Sequence, residues 1–140
     1  MTIVVGYVPR PEGRAALDRA LAEAVLRGQR LVVVNASRGD ALVDAGYAGV
    51  QEIELLKSRL ADSGVDHELR QLVRGHEPAD EVVDLAEEVG AELIVIGLRR
   101  RSAVGKFLLG STAQRILMHA PCAVLAVKAG AAARHEERHP

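Results

Sequence analysis

Apolar positions along the chain fall into two kinds of pattern. Short unbroken runs occur at Thr2–Tyr7 (TIVVGY), Leu31–Ala36 (LVVVNA), Leu93–Ile96 (LIVI) and Cys122–Val127 (CAVLAV). Runs of this length, rich in Val and Ile, are those of strands covered on both faces. Between them lie stripes at helical spacing. One is Ala16, Leu17, Ala20, Leu21, Ala24 and Val25 within 12–27. Another is Val50, Ile53, Leu56 and Leu60, and a third is Val82, Val83, Leu85, Ala86 and Val89. Gly28, Gly64 and Gly90 follow these stripes as stops, and Pro78 sits where a first-turn proline is tolerated. Residues 37–49 hold three glycines with mixed polarity and read as a loop. Residues 65–73 are strand-like but charged, with Asp66, Glu68 and Arg70 on one parity. Such a strand belongs at a sheet edge, where part of it meets water.

The resulting order is β-α-β-α-β-α-β-α-β, with no internal repeat. It predicts one α/β domain with a parallel sheet and helices on both faces. The chain is organised around residues 92–127. There ELIVIG is read as a buried strand ended by Gly97, followed by a loop. Gly110-Ser111-Thr112 then opens a helix with a hydroxyl at the N-cap. Pro121 closes that helix before the last strand. Free backbone N–H groups and the positive end of the helix dipole make its start a ready anion site.

Composition narrows the picture. At 140 residues the chain suits a single domain with a sizeable core. The core is expected to be aliphatic, because 49% of residues are hydrophobic but only 2% are aromatic. A formal net charge of -1 favours neither nucleic acid nor an anionic membrane. The abundance of arginine and alanine is read first as a genomic bias. A single cysteine excludes an internal disulfide and fits a reducing compartment. With no signal peptide and no 18-residue apolar span in the sequence, a soluble cytoplasmic protein is expected.

Residues 92–127 resemble the universal stress protein family. ATP-binding members carry a glycine, two residues, a second glycine, nine residues, then Gly-Ser or Gly-Thr. Gly97 fits the first position and Gly110-Ser111 the last pair, whereas Arg100 stands where the second glycine belongs. HAPCAVLAV, from His119 to Val127, is similar to the family's ending. GHEPADEVVDLAEEVGAELIVIG, from Gly75 to Gly97, is similar to its third helix and fourth strand. The resemblance extends over Thr2 to Lys128. It implies a doubly wound five-stranded parallel sheet of order 3-2-1-4-5, of the adenine nucleotide alpha hydrolase type, over residues 1–128. Residues 129–140 are expected to form a flexible tail. In such sheets ligands bind beyond the carboxyl ends of the strands, at the switch between the first and fourth strands.

The resemblance also implies ATP or AMP as ligand, with Mg accompanying ATP, and a role as stress sensor or regulator with at most slow hydrolysis. Gly97 would allow close approach, and Gly110, Ser111 and Thr112 would hold phosphate. Arg100 is open to two readings: a phosphate clamp, since guanidinium matches phosphate geometry, or a solvated loop residue beside Arg99 and Arg101. Forced into the left-handed geometry of a glycine, it would cost roughly 1–2 kcal/mol. Val8 stands where ATP-binding relatives carry an aspartate. It cannot accept a hydrogen bond but could pack on an adenine face. Asn35, ending the second strand, either offers polar contacts to a base or initiates a helix or turn.

No catalytic constellation is visible. A Gly-x-Ser-x-Gly elbow, a P-loop, paired Cys/His spacing for zinc, and the SGGxD and HxGH signatures are all missing from the sequence. His76 is read as surface or capping, His119 as structural, and Cys122 as an inert core thiol. His135 and His139 lie four apart in the tail, an incidental metal contact at most. The last strand, Ala123 to Val127, is apolar and would leave a sheet edge exposed. In the family this strand lies in a two-fold contact, so a homodimer is expected; the alternative is that the C-terminal tail covers the edge. The alternative function is a dimeric interaction protein of the same fold that binds no ATP, because Val8 and Arg100 replace expected site residues.

Overall fold

The computed structural model describes residues 1–37, 48–73, 76–100 and 107–129. The elements are β1 (Thr2–Gly6), α1 (Pro11–Arg27), β2 (Arg30–Ser37), α2 (Val50–Asp62), β3 (His67–Val73), α3 (Pro78–Val89), β4 (Ala91–Arg100), β5 (Phe107–Leu108), α4 (Ser111–His119) and β6 (Ala123–Lys128). Five strands form the parallel sheet in the order β3-β2-β1-β4-β6. This is the expected 3-2-1-4-5 arrangement, with β6 as its fifth member.

Strand parity divides the core. Leu69, Val33, Val5, Val95 and Leu125 lie in register across the sheet and pack on the side of α1 and α2. Val32, Val4, Ile94 and Val124 form the neighbouring row, on the side of α3 and α4. Val4, Val5, Val32, Val33, Ile94 and Val95 are fully buried. Each such side chain contributes roughly 1.5–3 kcal/mol of hydrophobic stabilisation. Gly28 and Gly90 end α1 and α3 in left-handed geometry, with φ of 63° and 64°.

The edge strand β3 carries its charges as paired groups. Glu68 contacts both Arg70 and Arg30, and Arg70 reaches Glu88 on α3. The Arg70 and Arg30 guanidiniums hold the Glu68 carboxyl below its usual pKa. A charged edge of this kind resists pairing with a foreign strand.

Three local expectations are corrected. Gly97 does not end β4, which continues to Arg100, with Gly97 in register with Val127 of β6. Part of the expected loop is a two-residue antiparallel return: Arg99 pairs with Leu108 and Arg100 with Phe107. The backbone of Arg100 is therefore extended, and no left-handed cost arises there. Finally, no hydroxyl caps α4. Gly110 is its N-cap, Ser111 is its first helical residue, and there is no side-chain cap hydrogen bond. Of the expected tail, 129–140, Ala129 is buried, and residues 130–140, with His135 and His139, lie outside the described residues, as does Arg101.

Candidate functional site

A cleft of about 260 Å³ opens beyond the carboxyl ends of β1, β2 and β4. It lies at the switch between β1 and β4, where the chain leaves toward opposite faces of the sheet. Gly6, Val34, Ala36, Val82, Ile96 and Ile116 give it apolar walls. Gly110, Ser111 and Thr112 bring the start of α4 to one side, and Val8 comes from the turn after β1. Ser111 and Thr112 are exposed at this surface. Among the backbone groups of α4, the first bond returned to the N-cap is the N–H of Gln114 to the Gly110 carbonyl, 3.0 Å. The amides before it thus have no partner within the helix and remain available to an anion.

The expected residues Val8, Gly97, Gly110, Ser111 and Thr112 therefore line one cleft. Arg100 lies on β4 next to cleft-lining Arg99.

Gly97 meets a close approach, and the approaching group is protein backbone. A Cβ on Gly97 would stand 2.0 Å from the Glu12 carbonyl oxygen. A Cβ on Gly13 would stand 1.8 Å from the Val8 carbonyl oxygen. These two glycines let the first turn of α1 settle against β4 and against the turn that precedes it. The helix start is thereby fixed at the mouth of the cleft. Arg10, Glu12 and Arg99 line that mouth.

Asn35 is fully buried and does not line the cleft. Its Nδ2 donates to the Tyr7 carbonyl at 2.9 Å. Its Oδ1 accepts from the Ala48 N–H at 2.8 Å and from Gln71 Nε2 at 3.1 Å. The side chain thus ties the ends of β1 and β3 to the segment entering α2. The amide is thus committed to protein groups in three parts of the chain, and the expected contact with a base is not what it makes here.

Tyr7 anchors the same region from the other face. Its hydroxyl donates to Glu52 Oε1 at 2.6 Å, and Arg14 Nη2 donates to the same oxygen at 3.2 Å. Burial, reinforced by the Glu52 carboxylate, pushes the Tyr7 pKa up to about 12. The hydrogen bond from Tyr7 holds the Glu52 carboxyl below its usual range. Tyr7 is therefore a neutral hydrogen-bond donor that links β1 to α2.

Other candidates fall away from the cleft. His76 Nδ1 lies 2.8 Å from Glu81 Oε1 beside the start of α3. His119 is the last residue of α4. The Cys122 thiol is half-buried against the α3/α4 core, and burial raises its pKa, as befits an unreactive thiol. Among the described residues no three His, Cys, Asp or Glu side chains gather in a metal-binding group. None of the described helices is long and apolar enough to cross a membrane.

Fold and site define a doubly wound α/β domain with a small-ligand cleft at its topological switch. The universal stress protein family model matches residues 1–128, and the chain belongs to that family. It is 48% identical over 126 residues to a universal stress protein of Mycolicibacterium smegmatis, covering 90% of this chain and 96% of the relative. A universal stress protein structure from Archaeoglobus fulgidus superposes with a TM-score of 0.72 at 34% identity, covering 91% of this chain and 98% of that one. Another from the same organism, in complex with dAMP, gives 0.64 at 33% identity, covering 91% and 98%.

Sequence reasoning missed Gly13, Arg10 and Glu12. Their signal was present in the run PRPEG after β1. A proline at the start of a helix, flanked by opposite charges and followed by a glycine, marks a tightly placed helix start.

Proposed function

We propose that this universal stress protein binds an adenine nucleotide in the switch cleft and works by binding, as a cytoplasmic stress sensor or regulator. The observation that carries the reading is the meeting of Val8, Gly97 and the Gly110–Thr112 helix start in one cleft. The base would lie on apolar wall, with Val8 among its contacts. The phosphate would meet the α4 amides and the hydroxyls of Ser111 and Thr112, with the Arg100 clamp as an optional addition. The cleft volume, about 260 Å³, is close to the lower end of the roughly 300–1,000 Å³ usual for small-molecule sites. A related protein bound to dAMP supports the ligand class. Calorimetric titration of nucleotide-stripped protein with AMP tests the reading. Saturable binding of one AMP per chain is expected, and a folded protein that binds no adenine nucleotide would overturn it.

Val8 favours a second reading, an interaction protein of the same fold without nucleotide, because valine offers no acceptor to a nucleoside. The two readings share a homodimer through β6. This strand pairs with β4 on one side, and among the described residues no strand pairs with its other side. Ala126 is exposed on β6, outside both cores. Ala126→Lys is therefore expected to shift the protein from dimer to monomer in sedimentation velocity while its circular dichroism is retained. A dimer that survives this change does not use the β6 edge.

A further inference from the structure

The mouth of the cleft holds a charge cluster, in which Glu12 of the first turn of α1 lies between Arg10 and Arg99. Glu12 Oε2 lies 3.4 Å from Arg10 Nε and 3.7 Å from Arg99 Nε. Both spacings exceed those of a good N–H···O bond. Elsewhere an arginine grips its carboxylate closely: Arg115 takes both oxygens of Asp80, at 2.8 and 3.1 Å. The Glu12 side chain is only 10% exposed, whereas those of Arg10 and Arg99 are 38% and 61% exposed. The carboxylate is thus sunk in the wall with the two guanidiniums outward of it. Arg10 Nε is itself buried and has no hydrogen-bond partner among the described residues. Two positive groups face one negative group, beside the positive end of α4. The mouth therefore carries two guanidiniums to one carboxylate, a surplus of positive charge that suits an anion.

We propose that Glu12 is a built-in counter-anion, which holds Arg10 and Arg99 at the cleft mouth until the phosphate of a bound nucleotide takes them over. The inference rests on the nucleotide-binding reading and adds two phosphate-contacting residues and a competitor to it. Arg10 and Arg99 present guanidinium forks suited to a phosphate, which offers more acceptor oxygens than one carboxylate. A phosphate within reach of both would lie close to Glu12 Oε2, and two anions at that spacing repel. The main chain of Glu12 cannot retreat, since its carbonyl is packed against Gly97. The carboxylate must therefore yield by side-chain rotation. Its charge weakens phosphate binding in proportion, which makes Glu12 a determinant of affinity for phosphorylated ligands alone.

The test compares AMP with adenosine in calorimetric titrations of wild type, Glu12→Gln and Arg10→Met. Glu12→Gln keeps the shape and removes the charge. It is expected to bind AMP roughly fivefold to tenfold more tightly and adenosine unchanged, an effect of the size expected for one nearby charge. Arg10→Met is expected to bind AMP about tenfold more weakly and adenosine unchanged. Thermal unfolding of the free variants confirms that each is folded, and Arg10→Met carries the test if Glu12→Gln is not. AMP affinity that stays at the wild-type value in these variants overturns the counter-anion and leaves the nucleotide reading standing. So does a change shared equally by adenosine. Wild type that binds neither ligand overturns both.

Discussion

Gly13→Ala is expected to destabilise the protein by about 3 kcal/mol, through overpacking against backbone atoms that cannot move aside. A Cβ there would stand 1.8 Å from the Val8 carbonyl oxygen and 2.7 Å from the Val8 nitrogen. These are backbone atoms, so a rotamer change gives no relief. The turn between β1 and α1 would have to open, and α1 would lose its seat on the sheet. Thermal unfolding is expected to show a midpoint about 10 °C lower. Gly97→Ala meets the Glu12 carbonyl oxygen at 2.0 Å from the opposite side and should behave alike. Both changes displace the same helix start, so the double variant should lose less than the sum. Gly6→Ala is the control: its Cβ would find only Ile96 and Val82 methyl groups at 3.8 Å. A Gly13→Ala protein within about 1 kcal/mol of wild type would show that α1 is not packed as described.

Asn35→Ala is expected to cost about 3–5 kcal/mol. The change strips the Tyr7 carbonyl and the Ala48 N–H of a partner, in a place where Asn35 itself is fully buried. Each orphaned buried group costs roughly 1–3 kcal/mol, and the missing side chain leaves a cavity as well. Urea unfolding of the variant measures the loss. A cost below about 1 kcal/mol would mean that the Asn35 amide is not the tie between β1, β3 and the segment entering α2.

The sheet was legible because its strands announce themselves. Val4, Val5, Val32, Val33, Ile94 and Val95 sit in unbroken apolar runs, and only burial on both faces explains such runs. Glu68 and Arg70 marked the edge strand through their parity. The helix start at Gly110 was also visible, though the hydroxyl of Ser111 suggested a side-chain cap that does not exist. What stayed hidden depends on contacts distant in sequence. Gly97 looked like a strand stop or a ligand contact. Its partner is the Glu12 carbonyl, 85 positions earlier, which local pattern cannot supply. Asn35 looked like a turn residue or a base contact, and only the fold shows that its amide is spent on Tyr7, Ala48 and Gln71. Arg10 and Glu12 carry no local pattern that marks a site. Their place at a ligand cleft follows from strand order, which brings the β1 turn beside β4.

The measurement that bears most directly on the proposed site is amide NMR of isotope-labelled protein titrated with AMP. Saturable shifts are expected at Gly110, Ser111 and Thr112, and at Val8 and Gly97 across the cleft, with the α1/α2 face unchanged. Saturable shifts confined to another surface, or none at millimolar AMP, would contradict nucleotide binding at this cleft.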